Sequence, residues 1–190
     1  MSRAALFLDR DGVINQPPPP EQRYITRPAD FFLMPGIARL IHNFNQARVP
    51  VVVVTNQKCI AIGRLSPEGL SAIHRQMQTL LHAEGAFVDA IYHCPHRESD
   101  HCTCRKPLPG MLLRGAEDLD LDLAASWLVG DQPRDCQAGK AAGCRTVLFG
   151  RSDPSHADLH CPDMQSLQEW SQVFLAKIKE TGLHSINPLA

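Results

Sequence analysis

Short apolar runs alternate along this chain with longer stretches in which apolar positions recur every three or four residues. "AALFL" (4–8), "VVVV" (51–54), "VDAIY" (88–92), "SWLV" (126–129) and "TVLF" (146–149) are continuous rather than alternating. That is the pattern of strands covered on both faces. Between the first two, "PGIARLIHNFNQAR" puts Ile37, Leu40, Ile41 and Phe44 on one helical face. In "SPEGLSAIHRQMQTLLHAEG", Ser66 suits an N-cap and Pro67 the first helical position. Leu70, Ile73, Met77, Leu80 and Leu81 form its stripe, and Gly85 suits its end. Further helices are predicted over 109–119, 133–142 and 164–180, with 150–165 a polar loop and 181–190 a loose tail.

Strand followed by helix, repeated, predicts an α/β fold. The expected form is a doubly wound (Rossmann-like) parallel sheet of about five to six strands. The 190 residues suffice for one core, so a single domain is expected over 1–180. The only biased segment, "PPPP" (17–20), reads as a stiff loop.

Charge narrows the partners. The formal net charge is −1 and no basic run occurs, which argues against nucleic acid or an anionic membrane surface. No apolar stretch approaches the ~20 residues needed to span a bilayer. The first strand begins with no leader pattern before it, so a cytoplasmic location is expected. Among seven cysteines, Cys94, Cys102 and Cys104 fall close together beside His96. In a cytoplasmic chain such clustering points to metal before disulfides. Cys59, Cys136, Cys144 and Cys161 are scattered and read as small apolar residues.

The polar residues fall at strand exits, where open α/β sheets place their sites. The first strand ends in Asp9-Arg10-Asp11-Gly12, the second in Thr55-Asn56-Gln57, and the fourth in Gly130-Asp131, with Asp135 one turn later. Lys106 precedes the fourth strand in "CRKPLPG". Carboxylates gathered at one edge repel unless a cation joins them, and hard oxygen ligands with spare positions suit Mg²⁺ and phosphate oxygens. One carboxylate could then attack phosphorus, with Mg²⁺ and Lys106 cancelling the repulsion, while its neighbour reaches the leaving oxygen.

"DRDGVI", "VVVVTNQ", "RKP" and "VGDQPRD" resemble the four motifs of the haloacid dehalogenase superfamily of phosphatases, in order and spacing. The chain is most similar to its small, capless branch with a zinc loop, which acts on heptose bisphosphates and histidinol phosphate. The resemblance implies Asp9 as nucleophile and Asp11 as general acid, then base. It implies Thr55, Asn56 and Lys106 as phosphate binders. Arg10, Gln57, Arg105 and Gln132 complete the substrate-facing set. Asp9, the Asp11 carbonyl and Asp131 would hold Mg²⁺, with Asp135 behind them. The phosphate dianion and Asp9 are expected to raise the Asp11 pKa.

In "CPHRESDHCTC" the resemblance implies a closed, structural Zn²⁺ site of Cys94, His96, Cys102 and Cys104, with His93 and His101 as competing ligands and the loop spanning 93–105. With no room for a cap, loop residues such as Arg23, Tyr24 and Arg27 are left to choose the substrate. Lys58-Cys59 departs from the Ser-Gly usual in heptose enzymes. The implied substrate is a small phosphorylated sugar, first a heptose bisphosphate, and the implied state a monomer. Histidinol phosphate and a non-catalytic relative of the fold are the alternatives.

Overall fold

The computed structural model describes residues 2–18 and 21–181. The elements run β1 (Leu6–Leu8), α1 (Ile37–Gln46), β2 (Val51–Asn56), α2 (Pro67–Ala83), β3 (Ala90–Cys94), α3 (Gly110–Leu119), β4 (Trp127–Gly130), α4 (Pro133–Ala142), β5 (Arg145–Phe149), β6 (Leu159–Cys161) and α5 (Met164–Thr181). All six strands are parallel, in the order β3-β2-β1-β4-β5-β6.

Strand period two divides the core. Leu6, Leu8, Val51 and Val53 face α1, α2 and α5, packing with Ile41, Phe44, Leu70, Met77 and Phe174. Phe7, Val52, Val54 and Leu128 point the other way, toward Met111 and Leu112 of α3 and Ala138 of α4. Helices therefore cover both faces, as the continuous apolar runs required. The direction of strand addition reverses between β1 and β4. Their outgoing loops diverge there and open a crevice at the carboxyl edge.

The helix starts follow local chemistry. Ser66 accepts from Gly69 N at 3.0 Å with Pro67 beside it. The helix predicted from 109 begins at Gly110, with Pro109 at its cap.

Two sequence expectations need correction. The stretch 150–165 is not all loop: it holds a short 3₁₀ turn and β6. β6 has three residues, two of them exposed, so it never needed an apolar run. β3 is an edge strand with partly exposed side chains rather than one covered on both faces. The tail predicted at 181–190, and Pro19-Pro20 of the proline run, lie outside the described residues, apart from Thr181 at the end of α5. After β1 the chain makes a flap, closed where Gln16 N donates to Phe32 O at 2.9 Å and Met34 N to Ile14 O at 2.8 Å. Among the described residues no helix is long and apolar enough to cross a membrane.

Candidate active site

β1 and β4 are adjacent and in register, so their exits deliver Asp9 and Asp131 side by side. Asp9 N donates to Val129 O at 2.9 Å, extending the ladder one residue to fix the carboxylate. A turn follows in which the amides of Val13, Ile14 and Asn15 converge on Arg10 O, and Gly12 N donates to Asn15 O. Gly12 has φ +90°, and a Cβ there would lie 2.4 Å from Asp131 Oδ2. Only glycine permits both the turn and that approach.

Lys106 sits under this edge, its side chain 1% exposed. Its ammonium donates to Val54 O at 2.8 Å and forms ion pairs with Asp9 Oδ1 at 2.9 Å and Asp135 Oδ1 at 2.8 Å. Burial alone would lower its pKa, but Asp135 and Asp9 reverse the effect and raise it. Asp135 also accepts from Gln132 N at 3.0 Å, capping α4, and Gly130 leaves the space that its Cβ fills. Asp135 thus stands behind Lys106.

Burial is the main cause that pushes Asp9 up to about 7; Lys106 opposes it, and Asp135 and Asp131 add to it. Asp131 is raised too, mainly by burial. Asp9, Asp131 and Asp135 bring carboxylate oxygens within 4.8 Å of one another. Arg10 N and Lys106 occupy Asp9 Oδ1, and Gln132 Nε2 donates to Asp131 Oδ2 at 3.1 Å. Asp131 Oδ1 is buried with no hydrogen-bond partner. An orphaned carboxylate oxygen among three gathered carboxylates fits a hard divalent cation.

Asp11 has the opposite environment. Burial would raise it, but the Arg10 guanidinium, Gln57 and Asn15 outweigh burial and hold its carboxyl below the usual range. The rise expected from a phosphate dianion would have to act against this environment. Three further residues expected on substrate are turned inward. Arg10 is fully buried, with its guanidinium on Asp11. Gln57 Nε2 donates to Asp11 Oδ2 at 2.9 Å and to Thr55 Oγ1 at 2.8 Å. Asn56 clasps the Lys106 backbone through two hydrogen bonds. Arg10 and Gln57 are buried, where a polar side chain must find a protein partner. Thr55, 1% exposed, keeps its hydroxyl proton free for an acceptor in the site.

The Cys94, His96, Cys102 and Cys104 ligand atoms also lie within 4.8 Å of one another. His96 Nδ1 is 3.3 Å from Cys104 Sγ, and Cys94 Sγ is 3.6 Å from Cys102 Sγ. These are near the corner-to-corner spacings of a tetrahedron with metal bonds of about 2.0–2.3 Å. His93 is outside this group; its ring meets His74 edge-on at 6.1 Å. Gly110, at the start of α3, packs so closely on Thr103 O that a Cβ would sit at 2.4 Å. Glu98 ties the loop to the β2 exit by pairing with both Lys58 and Arg105. That gives the departure at Lys58 a structural role.

A groove of about 470 Å³ runs from Lys106 along the loop, lined by Arg97, Glu98, His101, Arg105 and Arg134, among others. The sequence reading missed Arg134 and Arg97 here. Arg134 lies inside "VGDQPRD", between Pro133 and Asp135. The flap residues Arg23, Tyr24 and Arg27 line a separate hollow, where Arg27 is paired with Asp30.

The HAD-hydrolase-like family matches residues 103–166. D-glycero-beta-D-manno-heptose-1,7-bisphosphate 7-phosphatase of Bordetella bronchiseptica is 43% identical over 143 residues, covering 75% of this chain and 78% of that protein. D-glycero-D-manno-heptose-1,7-bisphosphate 7-phosphatase of Thermosynechococcus vestitus is 36% identical over 198 residues, covering 93% and 99%. The crystal structure of D,D-heptose 1,7-bisphosphate phosphatase from B. bronchiseptica, complexed with magnesium and phosphate, superposes with TM-score 0.80 at 36% identity, covering 90% of this chain and 98% of that one.

Proposed function

The chain belongs to the haloacid dehalogenase-like phosphatases, and on that premise we propose that it removes the 7-phosphate of D-glycero-D-manno-heptose 1,7-bisphosphate through an aspartyl-phosphate on Asp9. The observation that carries the reading is the state of Asp9: Oδ1 is held by Lys106 and Arg10 N, no hydrogen bond reaches Oδ2 among the described residues, and Asp131, whose Oδ1 is orphaned, brings a carboxylate oxygen within 4.8 Å.

Mg²⁺, when bound, supplies the positive charge that lets a carboxylate approach a phosphate dianion. Asp9, Asp131 and the Asp11 carbonyl would hold it. Asp9 Oδ2 attacks phosphorus as the bond to the sugar oxygen breaks. Lys106 offsets charge from below, and the Thr55 hydroxyl donates to a phosphoryl oxygen. Asp11 gives a proton to the departing alkoxide. It then takes one from the water that attacks phosphorus, freeing Asp9 and inorganic phosphate. Asp11 rests ionised against Arg10, so it takes up its proton as the dianion arrives.

A bisphosphate suits the groove. Arg97, Arg134 and Arg105, the last shared with Glu98, leave it net cationic beside Lys106, matched to a second phosphate rather than to the amine of histidinol phosphate. Cys94, His96, Cys102 and Cys104 would hold a structural Zn²⁺ that folds a loop without a core of its own. We read the protein as a cytoplasmic monomer with no nucleic-acid or membrane partner.

Phosphate release from heptose 1,7-bisphosphate, fructose 1,6-bisphosphate and histidinol phosphate with Mg²⁺ tests this. The heptose should be fastest, with phosphorus NMR showing loss from C7. Asp9→Asn should lose nearly all turnover and Asp11→Asn roughly 10²–10⁴-fold. Wild-type-like turnover by Asp9→Asn, or faster release from histidinol phosphate, would overturn the reading.

A further inference from the structure

Arg10 touches both acids of the first motif. Its backbone N–H donates to Asp9 Oδ1 at 2.8 Å. Its guanidinium donates to Asp11 through Nη2 at 2.8 and 2.9 Å and through Nε at 3.3 Å. The residue is 0% exposed, so water does not complete its hydrogen bonding. The remaining arm, Nη1, meets His74 Nε2 at 3.3 Å.

Arginine offers no acceptor, so His74 Nε2 must be the acceptor, which places the ring proton of the neutral imidazole on Nδ1. Burial, then Arg10 and His93, push the His74 pKa down to about 3, which keeps that lone pair free. His74 lies on α2. Gln57 and Asn15 hold the Asp11 oxygens from other directions. Arg10 is therefore the one cation on Asp11 among the described residues, and His74 is what its far arm grips.

We infer that His74 is a positioning residue for the acid–base step: its Nε2 anchors Arg10 so that the guanidinium presents one fixed edge to Asp11. The inference rests on the reading of Asp11 as acid and base. Without that acceptor, the guanidinium keeps its charge but loses one of two points that set its plane. Asp11 then loses its aim at the leaving oxygen. Asp9 is held separately by Lys106, so attack on phosphorus proceeds as before.

The consequence is selective. An alkoxide needs a proton to leave, whereas nitrophenolate leaves without one. kcat/KM covers the steps through loss of the leaving group, so it should be measured on the fastest sugar phosphate of the panel and on p-nitrophenyl phosphate. Asp11→Asn should lose roughly 10²–10⁴-fold on the sugar ester and far less on the nitrophenyl ester. His74→Leu should follow the same pattern at smaller scale, about tenfold against under about twofold. His74→Gln, whose Oε1 can take the place of Nε2, should return to within about twofold of wild type.

If Asp11→Asn loses both substrates equally, the acid role of Asp11 falls. If Asp11→Asn discriminates but His74→Leu does not, or folded His74→Gln fails to restore the ratio, the inference about His74 is overturned. Should His74→Leu lack a cooperative thermal transition, His74→Asn replaces it. Its shorter amide stops short of Arg10, and the same two outcomes decide.

Discussion

Asn56 and Lys106, fifty residues apart in the chain, are joined by two hydrogen bonds: Asn56 Nδ2 donates to Lys106 O at 3.0 Å, and Lys106 N donates to Asn56 Oδ1 at 3.1 Å. The amide at the end of β2 thus fixes the backbone from which the lysine reaches Asp9. Asn56→Ala should lower kcat about tenfold, the worth of positioning lost with these bonds, while KM changes little. Steady-state kinetics on the preferred sugar phosphate decide. A rise in KM at unchanged kcat would instead mark Asn56 as a direct phosphate contact.

Gly12 and Gly143 share nearly the same backbone, φ +90° and +88°, in different surroundings: a Cβ meets Asp131 at Gly12 and nothing within 4 Å at Gly143. Alanine at either should cost about 1–2 kcal/mol of stability from the left-handed backbone. Only Gly12→Ala should also raise the Mg²⁺ concentration needed for half-maximal activity, because it displaces Asp131. Denaturant unfolding and Mg²⁺ titrations, run on both variants, separate strain from site geometry.

The cysteine loop ends at Cys104, two residues before Lys106, so loosening it should be felt in the site. Cys102→Ser, or treatment with a strong chelator followed by Mg²⁺ alone, should lower both the thermal midpoint and kcat. Metal analysis of the untreated protein should find stoichiometric zinc. Chelation with no change in midpoint would remove the loop's metal from the account.

Asp158 ties β5 to the segment entering β6, accepting from Thr146 N and Thr146 Oγ1, each at 2.8 Å. Burial pushes its pKa up, but the Thr146 bonds, Lys140 and Arg145 more than offset this and hold it low. A depressed folded pKa stabilises above the unfolded value of about 3.9 and stops doing so as pH falls through the lower folded value. Asp158→Asn should therefore lose about 1 kcal/mol at neutral pH, allowing for solvent screening. The difference from wild type should shrink as pH falls below the unfolded value of about 3.9 and through the lower folded one. Urea unfolding across that range measures it.

The strand–helix alternation, the gathering of polar residues at strand exits and the clustered thiols were legible along the chain, because periodicity and local spacing are properties of neighbouring residues. The sequence also marked Asp9, Asp131 and Lys106 as facing one edge, since parallel strands put their exits together. Tertiary structure alone decided where the hydrogen bonds went. Arg10, Asn56 and Gln57 read as hands extended to substrate, yet each is turned onto protein. Arg10 meets a histidine 64 positions away, and Asn56 meets the lysine backbone. β6, too short and too exposed to leave an apolar run, was also settled only by the neighbour it pairs with. A buried donor must find an acceptor, and which acceptor stands within 3 Å depends on loops that converge from distant parts of the chain, which no local pattern records.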